Sequence, residues 1–244
     1  MAIFTVFPGT NAIQNAVNVA TPGDIILVNE GVYNEAVTIT TDNIRLVTAN
    51  NKVFLDGNNT LENGFTLNGV TGVEINGFNI ANYTSDGIDI NDSDFNLITR
   101  NKITKVNGDG IDLNSGTGNL IFNNTIENIG DDGGDTAIEV SGNNNWIVNN
   151  RLLRNSGAGI AINTNANGLI QNLIRDNGGA GFDISGDFNI FERNEVEDNE
   201  NNGILLGATA NDNFIFRNVF KDNEPNNIVN NGTDNNFLKN KVRC

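Results

Sequence analysis

Histidine is absent from this 244-residue chain, and cysteine, methionine and tryptophan occur once each. Without histidine the chain loses the residue that most often serves as general base and metal ligand near neutral pH. The lone cysteine is Cys244, so no internal disulfide can form and cysteine usage does not fix a redox compartment. Cationic side chains are scarce: 14 Lys and Arg against 30 Asp and Glu leave a formal net charge of −16. Such a chain repels nucleic acid and anionic membranes over about 8 Å at physiological salt. It repels a polyanionic substrate too, unless a cation bridges the two. Proline is confined to 3 positions, and no apolar run nears the ~20 residues of a membrane span. No charged-then-apolar leader opens the chain. The expectation is a soluble protein without membrane insertion, cytoplasmic or carried to a surface by a route not written in the sequence.

What the chain has in abundance is asparagine, glycine and repetition. One phrase, Asn followed by three largely apolar residues, a polar residue, Asn, any residue and an apolar one, begins at Asn96, Asn119, Asn145, Asn167, Asn189, Asn213 and Asn235. The steps are 23, 26, 22, 22, 24 and 22 residues. A period in the low twenties signals a solenoid, in which each repeat buries its apolar side only against its neighbours. A second phrase, Gly-apolar-x-apolar, interleaves with it, as in Gly87-Ile88-Asp89-Ile90 and Gly110-Ile111-Asp112-Leu113. Each coil therefore carries three short strands: the Gly-Ile-x-Ile strand, a second through Ile98 and its equivalents, and a third through Ile103 and its equivalents. Period-two strands with no helical spacing between them give an all-β, single-stranded parallel β-helix of about nine to ten coils. The repeated asparagines suit corners, where Asn tolerates left-handed backbone and identical amides stack. Rows from Asn96 to Asn235, from Asn101 to Asn240 and from Asn155 to Asn223 are expected to form ladders.

The start of the chain departs from the repeat. Residues 1–23 read as a cap on coils spanning 24–244, all within one domain. Ile3 to Phe7 form a strand, and Ile13, Ala16, Val17 and Ala20 line one face of a short helix stopped by Pro22-Gly23. The run Ile13-Gln14-Asn15-Ala16, then Pro22-Gly23-Asp24-Ile25-Ile26-Leu27-Val28, then Gly31-Val32-Tyr33-Asn34-Glu35 resembles the opening of the pectin-lyase-like superfamily of right-handed parallel β-helices. The resemblance covers essentially the whole chain and implies the fold. It leaves function open, because that superfamily holds lyases, hydrolases, epimerases, phage adhesins and non-enzymes.

Two surfaces are candidates for chemistry or contact. The outward position of the Gly-Ile-x-Ile strand brings Asp89, Asp112 and Glu139 onto successive coils about 4.8 Å apart, with Asp92 and Asp94 nearby. Carboxylates so close raise one another's pKa or recruit a cation, and their oxygens suit Ca²⁺. A solvated acidic face with no ion is the other reading. No cofactor is required, and Ca²⁺ is the one candidate. Ser85-Asp86-Gly87-Ile88-Asp89 resembles the polygalacturonase Asn-Thr-Asp-Gly motif, which implies a catalytic carboxylate at Asp86 and, one coil on, at Asp109. That resemblance is partial: Gly108 stands where those enzymes carry a second aspartate, and Thr136 where their histidine falls. Asp131, Asp132 or Asp135 is the further acid such a hydrolase needs, and Asp132 is the member taken as its representative.

The second surface is apolar. In the second strand the residues flanking the inward position are Leu97, Leu120, Phe122, Trp146, Val148, Ile170, Ile190, Phe214, Phe216 and Leu238, ten of fourteen places. A solvated sheet face alternates to polar, so this stripe is expected to be a self-association interface, with sugar stacking on its aromatics as the other use. The sequence thus points to a non-catalytic β-helix scaffold, homo-oligomeric through the second-strand face, with Ca²⁺ or glycan as candidate ligands of the acidic face. The alternative is a divergent polysaccharide hydrolase using paired aspartates.

Overall fold

The computed structural model describes residues 1–130 and 134–243. Each complete coil delivers one strand to each of three parallel sheets, which with the partial turns at the two ends have 9, 11 and 10 strands among the described residues. We call them the first, second and third sheets, after the Gly-Ile-x-Ile, Ile98 and Ile103 strands. Strands are three to five residues long because alternation allows one or two inward side chains before the chain must turn. The register stacks like on like. Ile88 lies over Ile111 and Ile138 in the first sheet, and Ile98 over Ile121 in the second. The inward column Ile98, Ile121, Ile147, Leu169, Phe191 and Ile215 is wholly buried, each side chain stabilising the fold by about 1.5–3 kcal/mol. Phe182 and Phe191 meet edge to face across the interior at 5.1 Å.

The three asparagine ladders are present. In the row from Asn101 to Asn240, each side-chain oxygen from Asn124 onward accepts both the backbone N–H and the amide N–H of the asparagine one coil earlier, as Asn150 Oδ1 does from Asn124 at 2.9 and 3.1 Å. The same amide also donates backwards to a core carbonyl, Asn150 Nδ2 to Ile121 O at 2.9 Å. In the row beginning at Asn96, the backbone rungs continue from Asn145 through Asn167 and Asn189 to Asn213 at 2.8 Å each. The amide-to-amide rungs lapse there: Asn145 Nδ2 turns to Gly116 O and Asn143 O, and Asn189 Nδ2 to Thr164 O. The structure differs from expectation on one point. The ladder asparagines do not themselves adopt left-handed backbone; the residue before each one does, as at Arg100, Asn123, Asn149, Gln171, Arg193, Arg217 and Lys239. Turning and hydrogen bonding are thus divided between neighbours, and the asparagine is needed for its amide alone.

The cap is built as the sequence implies. β1 (Ile3–Val6) pairs with Ile25–Val28, and α1 (Ala12–Val19) buries Ile13, Ala16 and Val17 over the core. The N-cap Asn11 makes no side-chain cap bond. Instead Glu35, 2% exposed, reaches across from the first coil and accepts from Ile13 N at 3.0 Å and Gln14 N at 2.9 Å, which places a carboxylate at the positive end of the helix dipole. Tyr83 Oη holds the Glu35 carbonyl at 2.7 Å. Asp24 ties down the preceding segment through Ala2 N and Thr21, and these hydrogen bonds, the one from Ala2 first, hold its carboxyl down at about 2. Among the described residues no helix is long and apolar enough to cross a membrane.

Candidate functional site

The outer faces of the three sheets differ in character. On the third, charges are paired: Glu127 meets Lys102 and Arg154, and Glu197 meets Arg175 and Lys221. On the first, the outward column runs Thr66, Asp89, Asp112, Glu139, Ala161, Asp183, Leu205 in strict register. None of the ion pairs found among the described residues reaches its acids. Two groups of three converge there, with carboxylate oxygens within 4.8 Å of one another: Asp86, Asp89 and Asp112, and Asp109, Asp112 and Glu139. Asp112 belongs to both.

Burial and mutual repulsion act strongly on this cluster. Burial pushes the Asp86 and Asp109 carboxyls up to about 6 against their own hydrogen bonds. Asp112 rises to about 7, through burial and then the charges of Asp86, Asp109, Glu139 and Asp89. Asp112 Oδ1 is buried and, among the described residues, has no hydrogen-bond partner. Asp89 is the opposite case: Asn63 and Asn91 donate to its Oδ2 at 3.1 and 2.8 Å, and Asn114 to its Oδ1 at 3.1 Å. Calcium takes oxygens at 2.3–2.6 Å, so two ligand atoms of one ion can stand no more than about 5 Å apart. The two trios meet that limit, and their all-oxygen donors fit calcium.

Not every residue that the sequence grouped falls within these trios. Asp92 and Asp94 lie outside both trios: Asp92 sits at φ 44° in the corner and bonds Ser115, and Asp94 accepts from Thr117 N at 2.7 Å. Asp132 lies outside the described residues. Asp86 and Asp109 stand one coil apart as the polygalacturonase-like motif implies, yet each has one oxygen committed to the next coil. Asp86 Oδ1 accepts from Asp109 N at 2.8 Å, and Asp109 Oδ1 accepts from the N–H and hydroxyl of Thr136. Since Asp86 N donates to Asn63 Oδ1 at 3.1 Å, residues 63, 86, 109 and 136 form a fourth, mixed ladder. The spacing of 23 residues between the first three was the signal that could have disclosed it. Beside Glu139 the row continues into a shallow groove of about 330 Å³, lined in part by Thr136, Glu139, Ala161, Asp183 and Leu205.

The second sheet carries the apolar stripe in register: Leu97, Leu120, Trp146, Gly168, Ile190 and Phe214 in one column, and Phe122, Val148, Ile170 and Phe216 in the next, which Glu192 interrupts between Ile170 and Phe216. Trp146, Ile190 and Leu238 are 46, 40 and 43% exposed. Gly168 is no gap in it, because the Trp146 ring lies over that residue and a Cβ there would sit 2.4 Å from the indole. Phe95 and Phe188, 63 and 59% exposed, extend the patch at its entry corner and were not foreseen.

No curated protein matches the sequence. Among solved structures, pectate lyase Pel9A superimposes with a TM-score of 0.78 at 17% identity, covering 91% of this chain and 70% of that one. XylC, in complex with xylose, gives 0.75 at 12% over 96% and 69%. The periplasmic alginate epimerase AlgG gives 0.65 at 14% over 90% of this chain and 60% of that one, so the chain spans less than two thirds of the epimerase. At such identities the likeness concerns the fold alone. The profile of the right handed beta helix region matches residues 86–242, well over half the chain and the whole run of asparagine coils. Repeat, ladder, three-sheet coil and profile agree, and the chain belongs to the right handed beta helix family.

Proposed function

We propose that this β-helix recognises carbohydrate without turning it over, through a calcium ion held on the acid row of the first sheet. The observation that carries the reading is Asp112: among the described residues, a carboxylate with one oxygen buried and unpartnered, shared by two acidic trios that no cationic side chain pairs with. A buried group of this kind costs about 1–3 kcal/mol or more unless something satisfies it, and a divalent cation satisfies it together with its neighbours. Calcium keeps open coordination positions for sugar hydroxyls or a uronate carboxylate, which also resolves how a chain of net charge −16 approaches an acidic glycan. The groove beside Glu139 gives the sugar a place to lie. Solved structures of similar fold include a pectate lyase, an alginate epimerase and a xylose complex, which supports carbohydrate as the class.

A hydrolase reading has one observation in its favour: Asp86 and Asp109 titrate near 6, where a general acid works well. Against it, both carboxylates already hold backbone groups of the next coil. Calorimetric titration with calcium, followed by a panel of neutral and acidic glycans with and without the ion, tests the proposal. Calcium-dependent glycan binding that disappears in Asp112→Asn is the expected result. Release of reducing ends that is lost in Asp86→Ala and Asp109→Ala overturns it in favour of the hydrolase.

A further inference from the structure

The apolar second-sheet face has edges of opposite charge, and their distribution follows a rule. The residues entering each strand include Asp94, Asp187, Asp212 and Asp234; those leaving the same four strands are Arg100, Arg193, Arg217 and Lys239. The three coils between, through Leu120, Trp146 and Gly168, carry no charge at either edge: Thr117-Gly118 and Asn123, Asn143-Asn144 and Asn149, Asn165-Ala166 and Gln171. Across these seven coils acid and base therefore appear together or not at all; the earlier Arg45–Thr48 strand, entered by Asp42 and left by Thr48, stands outside the pattern. They cannot pair within their coil, since five or six residues of near-extended chain separate them by about 16–20 Å. Arg193 does reach Glu192 at 3.1 Å, and Arg217 lies over the Phe216 ring at 4.5 Å.

Local conformation does not explain the bases. All four occupy left-handed backbone, with φ near 55°. That region suits Asn, Asp and Gly and costs other side chains about 1–2 kcal/mol. Asn123 and Asn149 in the same row are what the turn prefers; arginine and lysine are not.

We infer that the second sheet is the interface of a symmetric dimer of this chain, its two-fold axis parallel to the coil axis. Two copies of one face can meet about an axis along the coils or an axis along the strands. The second arrangement lays acid edge on acid edge and base on base. The first lays every strand antiparallel on the same strand of the other copy, so that Asp187 faces the partner's Arg193, Asp212 the partner's Arg217 and Asp234 the partner's Lys239. Only this arrangement uses the coil-by-coil matching. The apolar middle, with Trp146 at its centre, then packs on itself. Seven coils at about 4.8 Å and a face about 20 Å wide give about 700 Å² per copy, or about 1,400 Å² in total, within the range of specific stable interfaces. The inference concerns a different sheet from the proposed sugar site, so either can fail without the other.

The test is sedimentation equilibrium of the full chain from about 1 to 200 μM, on the natural protein and four variants. A dimer is expected, weakened at least about a hundredfold by Trp146→Glu, which charges the centre of the patch. Asp212→Lys and Arg217→Glu each place like charges face to face and should raise the dissociation constant about tenfold. The double variant Asp212→Lys/Arg217→Glu exchanges the edges of one coil and should return to within about threefold of the natural protein. All three sites are on the surface, so circular dichroism should be unchanged. A monomer throughout, a dimer indifferent to Trp146→Glu, or a double variant no better than the singles overturns the inference.

Discussion

Removing one asparagine from the interior of a ladder should cost far more than removing one from its end. Asn150 is 1% exposed, and its side chain makes four hydrogen bonds: two accepted from Asn124, one donated to Ile121 O and one to Asn172 Oδ1. In Asn150→Ala the amide N–H of Asn124 loses its acceptor in a place water does not reach, and Ile121 O loses this donor. At about 1–3 kcal/mol for each buried group left unsatisfied, the cost is about 2–5 kcal/mol. Asn240, at the other end of the same row, also accepts twice from Asn218 and donates to Ile215 O, but it is only partly buried. Water can replace those partners, so Asn240→Ala should cost no more than about 1 kcal/mol. Asn150→Asp sharpens the contrast, because a carboxylate keeps both accepted bonds but opposes Asn172 Oδ1, which the natural amide meets at 3.1 Å. That variant should be the worst of the three at pH 8 and recover at pH 4, where the protonated acid donates again. Since a solenoid need not unfold in one step, guanidinium unfolding should be paired with hydrogen exchange at the Asn124 amide. Exchange there should accelerate at least about thirtyfold in Asn150→Ala, matching about 2 kcal/mol. If Asn150→Ala and Asn240→Ala lie within about 0.5 kcal/mol of each other, the ladder is not a buried, water-excluded structure and the reasoning fails.

Other outcomes follow from the same geometry. Because Asp112 titrates near 7 in the folded chain against an ordinary 3.8, the native state holds a proton that the unfolded state has lost. The cluster's contribution to stability is therefore full below about pH 4 and is lost as pH rises towards 7. In chelator, Asp112→Asn should flatten the fall in Tm over that window, and calcium should raise the natural protein's Tm at pH 7.5 more than at pH 5. An unchanged slope in Asp112→Asn counts against the cluster's assignment. Glu35→Ala removes both carboxylate bonds to the first turn of α1 and should cost about 2–4 kcal/mol, seen as early exchange of the Ile13 and Gln14 amides; protection equal to the natural protein refutes the capping role. Phe191→Ala empties a wholly buried site against Phe182 and should cost about 3–5 kcal/mol in chemical unfolding, whereas a loss below about 1 kcal/mol indicates collapse of the cavity.

The fold was legible because every coil states it again. A strand of three residues carries little signal alone, but seven copies of Asn, any residue, an apolar residue, two more and Asn set the register of three sheets at once, down to which side of Trp146 faces out. The acid row was legible for the same reason, since Asp89, Asp112 and Glu139 occupy one repeat position. Asp92 and Asp94 were drawn in by proximity along the chain, but a corner separates them from the sheet, and sequence distance does not show which way a turn sends a carboxylate. The mixed row of Asn63, Asp86, Asp109 and Thr136 was missed because its members differ in type; what unites the first three is an oxygen that accepts the backbone N–H of the next coil, which Asn and Asp both supply, and Thr136 ends the row as a donor. The charged edges of the second sheet were missed because attention to ladder asparagines passes over the residue before each one.

The polarity of the ladders bears on how such a molecule can change in length. Each asparagine oxygen faces the coil before it, and each of these coils presents the same acceptor to its predecessor. Excise the 22 residues from Asn167 to Phe188's neighbour Asp187 and Phe188 itself, and Ala166 joins Asn189: Asn145 N finds Asn189 Oδ1 where Asn167 stood, Asn150 finds Asn194, and Asn155 finds Asn199. The remainder moves along the axis by about 4.8 Å with these rungs closed, and the cost falls on the outer face, where Ile190 takes the place of Gly168 against the Trp146 ring. Remove one residue fewer and the surplus residue has to be taken up at a corner, as it is between Leu113 and Asn119, where the step is 23 residues and not 22. The core and the ladders are therefore quantised in whole coils, while the corners absorb differences of a few residues.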